Sequence, residues 1–306
     1  MRPCNNARFA ALFALASLTL GAQTTLTPST DAQAGPRTVF LPVLVTDRND
    51  RPIPGLGKDN FKIFENDRPQ EIASIATREE PMSIGIILDR SASMRTKMNS
   101  MVQVIRRIVQ QANPSDEFFV IGFNDQVELI QDFTSSAEDI RASLATVRNE
   151  GKTALRDAIY SGIAKMKEAR QGHKAMLILS DGDDNRSRHT EGELLAQARQ
   201  ADVEIDSIGI FDPYAPTPEE RAGPQLLDEV SEETGGRLFR VDDIAEMGDI
   251  AEKISTDLRN QYLIAYTPSD LSRNGKWRNV KVKVNRPAGS PPLSVHARTG
   301  YYAPSQ

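Results

Sequence analysis

The apolar and polar positions of the chain fall into three regimes. Before residue 80 the apolar runs are short: Val39 to Thr46, Phe61 to Phe64 and Ile72 to Ile75 read as strands, and no helical period occurs. Pro42 inside the first run favours an edge strand, because proline has no N–H to give to a sheet ladder. From Met82 the pattern changes. Ser83-Ile84-Gly85-Ile86-Ile87-Leu88 is continuously apolar, as in a strand buried on both faces of a parallel sheet. Met101, Val104, Ile105, Ile108 and Val109 follow at helical spacing. Strands are then predicted over Phe118 to Phe123, Val127 to Ile130, Ala175 to Leu179, Val203 to Ile210 and Leu238 to Val241. Helices are predicted over Glu138 to Val147, Leu155 to Ala169, Leu194 to Ala201, Leu226 to Thr234 and Ile244 to Leu258. Alternating buried strands and helices specify a doubly wound, mostly parallel α/β domain over residues 81–260.

After Asn260 the helical signal stops. Tyr262, Ile264 and Tyr266 alternate with smaller residues, Val280 to Val284 alternates strictly, and Leu293 to Ala297 is a last strand. Neither flank, residues 38–80 or 261–303, has enough strands for a stable sheet alone. The two halves therefore pair as one small β-sandwich-like domain into which the α/β domain is inserted. Trp277 and Arg278 read as packing residues of that domain rather than ligand contacts.

Residues 1–22 read as an address. Arg2 and Arg8 precede a charge-free apolar run from Phe9 to Ala22, the pattern of a secretory signal peptide. The run is short of the about 20 residues a spanning helix needs. Residues 23–37, rich in Thr, Ser, Pro, Ala and Gly, read as a linker. The folded part is thus expected outside the cytoplasm, periplasmic or secreted, with no integral membrane span in the mature form. The formal net charge is -5, which gives no basic excess for binding nucleic acid. Cys4 is the only cysteine and there are three histidines, so a thiolate or multi-histidine metal site is not expected, and any metal must be held by oxygen.

Three short segments carry candidate chemistry. The first buried strand runs into Asp89-Arg90-Ser91-Ala92-Ser93-Met94, which places Asp89 at a strand's carboxyl end, where open α/β sheets bind ligands. Gly151-Lys152-Thr153-Ala154-Leu155 enters a helix. Leu179-Ser180-Asp181-Gly182 ends another buried strand. Two carboxylates and three hydroxyls suit a hard divalent cation, Mg²⁺ or Mn²⁺. They balance its charge and leave a position that an incoming carboxylate can take. The same residue types also suit plainer roles: a helix-capping turn at Asp89 to Ser93, a helix cap at Thr153, a tight turn at Asp181-Gly182. Asp183 and Asp184 read as a solvated loop, and Arg90 and Met94 as contacts for a ligand around the ion, or as ordinary surface and packing.

The order D-x-S-x-S, distant Thr, then Asp before Gly resembles the metal-ion-dependent adhesion site of von Willebrand factor type A (VWFA) domains. The resemblance maps metal ligation to Asp89, Ser91, Ser93, Thr153 and Asp181. Two departures, Ala92 for the usual Gly and Ser180 for the usual Thr, supply no expected ligand. The flanks, with Asp50-Arg51-Pro52, Gly55-Leu56, Asp59-Asn60-Phe61, Tyr262 to Pro268, Gly275 to Val284 and Arg298-Thr299-Gly300-Tyr301-Tyr302, look like the VWFA-related proteins common in Acidobacteria. What the resemblance implies is an exported, non-enzymatic module of the cell envelope. It would bind a partner protein through Mg²⁺ (or Mn²⁺) bridged to an Asp or Glu of that partner. In related domains the last helix can shift when the ion changes its coordination. Two rival readings are a structural scaffold with a non-functional metal site and a Mg²⁺-dependent phosphatase. The phosphatase normally needs a second Asp where Ser91 stands.

Overall fold

A computed structural model describes residues 38–77, 80–211, 218–285 and 292–305. The residues read as signal peptide and linker, Cys4 among them, lie outside the described residues. The first flank supplies strands β1 (Val39–Thr46), β2 (Phe61–Glu65), β3 (Arg68–Gln70) and β4 (Ile72–Thr77). The middle of the chain runs β5 (Met82–Asp89), α1 (Met98–Gln111), β6 (Glu117–Phe123), β7 (Val127–Thr134), α2 (Ala137–Leu144), α3 (Leu155–Lys165), β8 (His173–Ser180), α4 (Glu191–Gln200), β9 (Glu204–Gly209), α5 (Pro218–Thr234), β10 (Leu238–Arg240) and α6 (Met247–Arg259). The second flank gives β11 (Tyr262–Tyr266), β12 (Trp277–Val284), β13 (Ser294–His296) and β14 (Gly300–Tyr302).

The central sheet has the order β10-β9-β8-β5-β6-β7, parallel except for β7 at its edge. All eight residues of β5 are buried, which is why its sequence carries no alternation. Helices cover both faces. Met101, Val104 and Ile105 of α1 and Ala251 and Ile254 of α6 pack on one side, and Leu155 and Ile159 of α3, Leu194 of α4 and Leu227 of α5 on the other. From β5 the chain first builds outward through β6 and β7, then crosses to β8 on β5's other side and builds outward again. The boundary between β5 and β8 is therefore the topological switch point, where a crevice opens at the strands' carboxyl ends.

The two flanks interleave. Both antiparallel four-stranded sheets, β13-β1-β11-β4 and β14-β12-β2-β3, draw strands from each end of the chain. Leu41, Val43, Phe61, Ile63, Ile264, Tyr266 and Val280 fill the core between them. Arg278 is buried there against Glu65, whose carboxylate accepts the Tyr266 and Tyr301 hydroxyls at 3.0 and 2.8 Å. Trp277 packs edge-on against Tyr302 with centroids 5.0 Å apart.

The structure differs from the sequence reading in three places. β1 is an inner strand, not an edge; but β13 pairs only with Leu44–Thr46, so Pro42 falls where the second flank of β1 bears no strand among the described residues. Strands β3 and β14 have three residues each, too short for a period to register. Helix α5 starts at Pro218, two turns ahead of Leu226, where the apolar spacing begins, and carries Pro224 inside it. Among the described residues no helix is long and apolar enough to cross a membrane.

Candidate functional site

Asp89 and Asp181 meet at the switch point because β5 and β8 are adjacent parallel strands in register, Leu88 opposite Leu179. Asp89 is fully buried. Its Oδ1 accepts the Ser91 N–H at 2.9 Å and its Oδ2 accepts the Ser180 hydroxyl at 2.6 Å. The Ser91 and Ser93 hydroxyls lie 3.0 Å apart, and Ser93 Oγ donates to Asp181 Oδ2 at 2.6 Å. Four of the five residues singled out are thus joined to one another or to the strand end beside them.

Thr153, also buried, is brought to this edge by its main chain. Its carbonyl accepts the N–H groups of Asn185 and Arg186 at 3.0 and 2.9 Å, and its N–H donates to Asn185 Oδ1 at 3.2 Å. Ala92 N–H donates to the Gly151 carbonyl at 3.2 Å, and Glu150 N–H to that of Arg90 at 3.0 Å. The three loops are therefore held to each other by backbone bonds. Two glycines make this possible: Gly151 at φ +79° and Gly182 at φ +85°, where a side chain is strained. A Cβ on Gly182 would also stand 2.7 Å from the Gly223 backbone of α5.

Electrostatically the site is acidic, with no basic side chain on its two carboxylates among the described residues. Burial, then the charge of Asp181, pushes the Asp89 carboxyl up to about 7. Among the described residues neither Asp89 nor Asp181 has a hydrogen bond or ion pair with a basic side chain; their partners are hydroxyls and backbone N–H groups. No group of three or more His, Cys, Asp or Glu gathers among the described residues, so the acidic content here is two carboxylates. Two carboxylates with convergent neutral oxygens fit a divalent ion that needs six oxygen ligands, some of them water.

Other expectations need correction. Met94 is fully buried in the core with Met98 and Met101, because the turn Ala92–Met94 folds its side chain inward, so it presents nothing to a ligand. Arg90 is mostly covered and pairs with Glu128 at 2.6 Å. Asp184 is not solvated: it pairs with Arg156 at 3.1 Å and accepts the Ser187 hydroxyl at 2.7 Å. Sequence reasoning missed Ser180, whose hydroxyl holds the Asp89 carboxylate, and Asp157. Asp157 accepts the Arg188 and His189 N–H groups at 3.0 Å and the His189 ring contact at 2.7 Å, which anchors the loop after Asp181 to α3.

The von Willebrand factor type A domain model matches residues 83–253. Among solved structures, the von Willebrand factor type A protein from Catenulispora acidiphila is 13% identical, with 86% of this chain and 74% of that chain covered at a TM-score of 0.50. BatB from Bacteroides thetaiotaomicron is 20% identical over 57% of this chain and 97% of its own, at 0.47. The vWF domain of the type V pili tip protein Mfa5 from Porphyromonas gingivalis is 10% identical over 60% and 98%, at 0.48. No curated protein matches the chain.

Proposed function

Because this chain belongs to the von Willebrand factor type A family, we propose that it is an exported, non-enzymatic module that binds a partner protein in a metal-dependent way. The observation that carries this reading is the burial of Asp89 beside Asp181, within a ring of hydroxyls and without a basic partner. Asp89, Ser91, Ser93, Thr153 and Asp181 would hold Mg²⁺ or Mn²⁺. Such an ion, when bound, supplies an electrophilic position for a partner's Asp or Glu carboxylate. The chain's own part is to fix the oxygens. Ser180 and the Ser91 N–H orient Asp89, Ser93 orients Asp181, and the Gly151 and Asn185 contacts keep the three loops in place. The basic start at Arg2 and Arg8 and the apolar run after it support export.

The connection after α6 supports a mechanical link. α6 ends at Arg259 and β11 begins at Tyr262, while Lys253 of α6 pairs with Asp50 of the β1 turn at 2.6 Å. A shift of α6 would pull on both β-sheet contacts. A flexible insertion after Asn260 should then change ligand affinity; equal affinity would remove the link.

The function is tested by retention of envelope proteins on immobilised chain. Retention in Mg²⁺, loss in chelator, loss with Asp89→Ala, and loss when an acidic residue of the retained protein is neutralised are the expected results. Retention indifferent to chelator and to Asp89→Ala would overturn the metal-dependent reading.

A further inference from the structure

At the opposite ends of the parallel strands, where β8 and β9 begin, a cleft of about 310 Å³ lies between the central sheet and β1, β11 and β13. It exists because β13 leaves β1 early. β13 pairs with Leu44–Thr46, and the chain then turns toward α5: Arg298 binds the Ala201 carbonyl at 3.1 Å and Thr299 N–H donates to Glu233 O at 3.4 Å. Along Val39–Val43, β1 keeps β11 on one flank and has no strand on the other among the described residues.

That open flank offers main-chain groups. Ile53 N–H donates to Val45 O at 2.8 Å, which fixes the odd-numbered residues of β1 toward the β11 side. By the alternation of a strand, Phe40 N–H and the carbonyls of Phe40 and Pro42 face the open side. The Phe40 side chain is 58% exposed, and with Pro42, Leu44 and Leu263 it makes the cleft's apolar wall.

The facing wall is polar and incompletely satisfied. Gln261 is 2% exposed. Its Nε2 donates to Glu204 Oε2 at 2.6 Å, which fixes the amide's orientation, and among the described residues its Oε1 has no partner. His296 Nε2, at the end of β13, also has none. A buried acceptor left unpaired is unfavourable and is relieved by a donor brought from outside. Glu80, Asp202 and Glu204 border the cleft against Lys174 and Arg298, and Arg298 is already bound to Asp202, so the balance favours a basic donor.

We propose that this cleft binds an extended, basic peptide segment of a partner protein. The segment adds as an antiparallel strand on β1 opposite Val39–Val43, continuing the line of β13. Its alternate side chains rest on Phe40 and Leu263, and an arginine or lysine N–H reaches Gln261 Oε1. This is strand addition with side-chain pockets. It needs no cation and lies away from Asp89.

The test is panning of random ten-residue peptides displayed on phage against the full chain in chelator, with Phe40→Ser as the comparison bait. Phe40 is exposed, so that variant keeps the fold; Gln261→Met is the second variant. Enriched peptides should alternate apolar residues with Arg or Lys. They should bind the wild type at least tenfold more tightly than either variant and slow hydrogen exchange at the Phe40 amide. No enrichment over the Phe40→Ser bait, binding to both variants as tight as to the wild type, or binding without protection of the Phe40 amide would each overturn the proposal.

Discussion

Ser93 and Asp181, 88 positions apart in sequence, share a hydrogen bond of 2.6 Å from Oγ to Oδ2. The bond closes a loop of acidic and hydroxyl oxygens around the buried Asp89. It also shows what a substitution in this ring would change.

Asp89 is held near neutrality by burial and by Asp181. Asp89→Asn removes the repulsion and keeps an oxygen for the Ser91 N–H. In chelator the variant should melt at a higher temperature than the wild type. Added Mg²⁺ at about a hundredfold over its dissociation constant should stabilise the wild type by about 2.7 kcal/mol, and the variant not at all. Scanning calorimetry reads both.

The approach of Gly182 to Gly223 joins the site loop to α5. Gly182→Ala puts a Cβ 2.7 Å from the Gly223 backbone at a positive φ. A loss of about 1–3 kcal/mol is expected, read from the urea midpoint. An unchanged midpoint would mean that the loop and α5 yield at little cost.

Asp206 gives a pH dependence apart from the site. Burial raises its carboxyl from 3.8 to about 7, against the opposing pull of Arg237, whose N–H it accepts at 2.8 Å. Below the unfolded value both states carry the proton. Between the two values the folded chain keeps a proton that the unfolded chain has lost, so stability declines as pH rises. Above the folded value that contribution is gone. Urea unfolding from pH 4 to 8 should show the decline, at most about 1.4 kcal/mol per pH unit for this group. Asp206→Asn should lessen the decline without abolishing it, because the Asp89 carboxyl is also raised to about 7.

Arg278 neutralises Glu65 inside the β-sandwich, 3.5 Å away, while also pairing with Asp270. Arg278→Met leaves a buried carboxylate without its cation and should cost about 3–5 kcal/mol. Adding Glu65→Gln should recover part of that loss in the same denaturation assay.

Much of this was legible in the sequence because buried parallel strands leave uninterrupted apolar runs. The runs ending at Leu88 and Leu179 place both carboxylates at strand ends, and the strict alternation from Val280 to Val284 marks a half-buried strand of the flanking domain. What stayed hidden depended on contacts distant in sequence. The partner of Asp184 is Arg156, 28 positions away, so an acidic pair looked like solvated loop. The turn at Ala92–Met94 sends Met94 into the core, although its place in the motif suggested a surface contact. β3 and β14 are set by their neighbours rather than by their own three residues.

The central claim is that Asp89, Ser91, Ser93, Thr153 and Asp181 form one divalent-cation site. Mn²⁺ accepts the same oxygen ligands as Mg²⁺ and is paramagnetic, so electron paramagnetic resonance of the full chain titrated with Mn²⁺ tests it most directly, beside Asp89→Ala and Thr153→Ala. The account predicts one bound Mn²⁺ in the wild type and loss of that site in both variants. No specific site, or one that survives both substitutions, would contradict it.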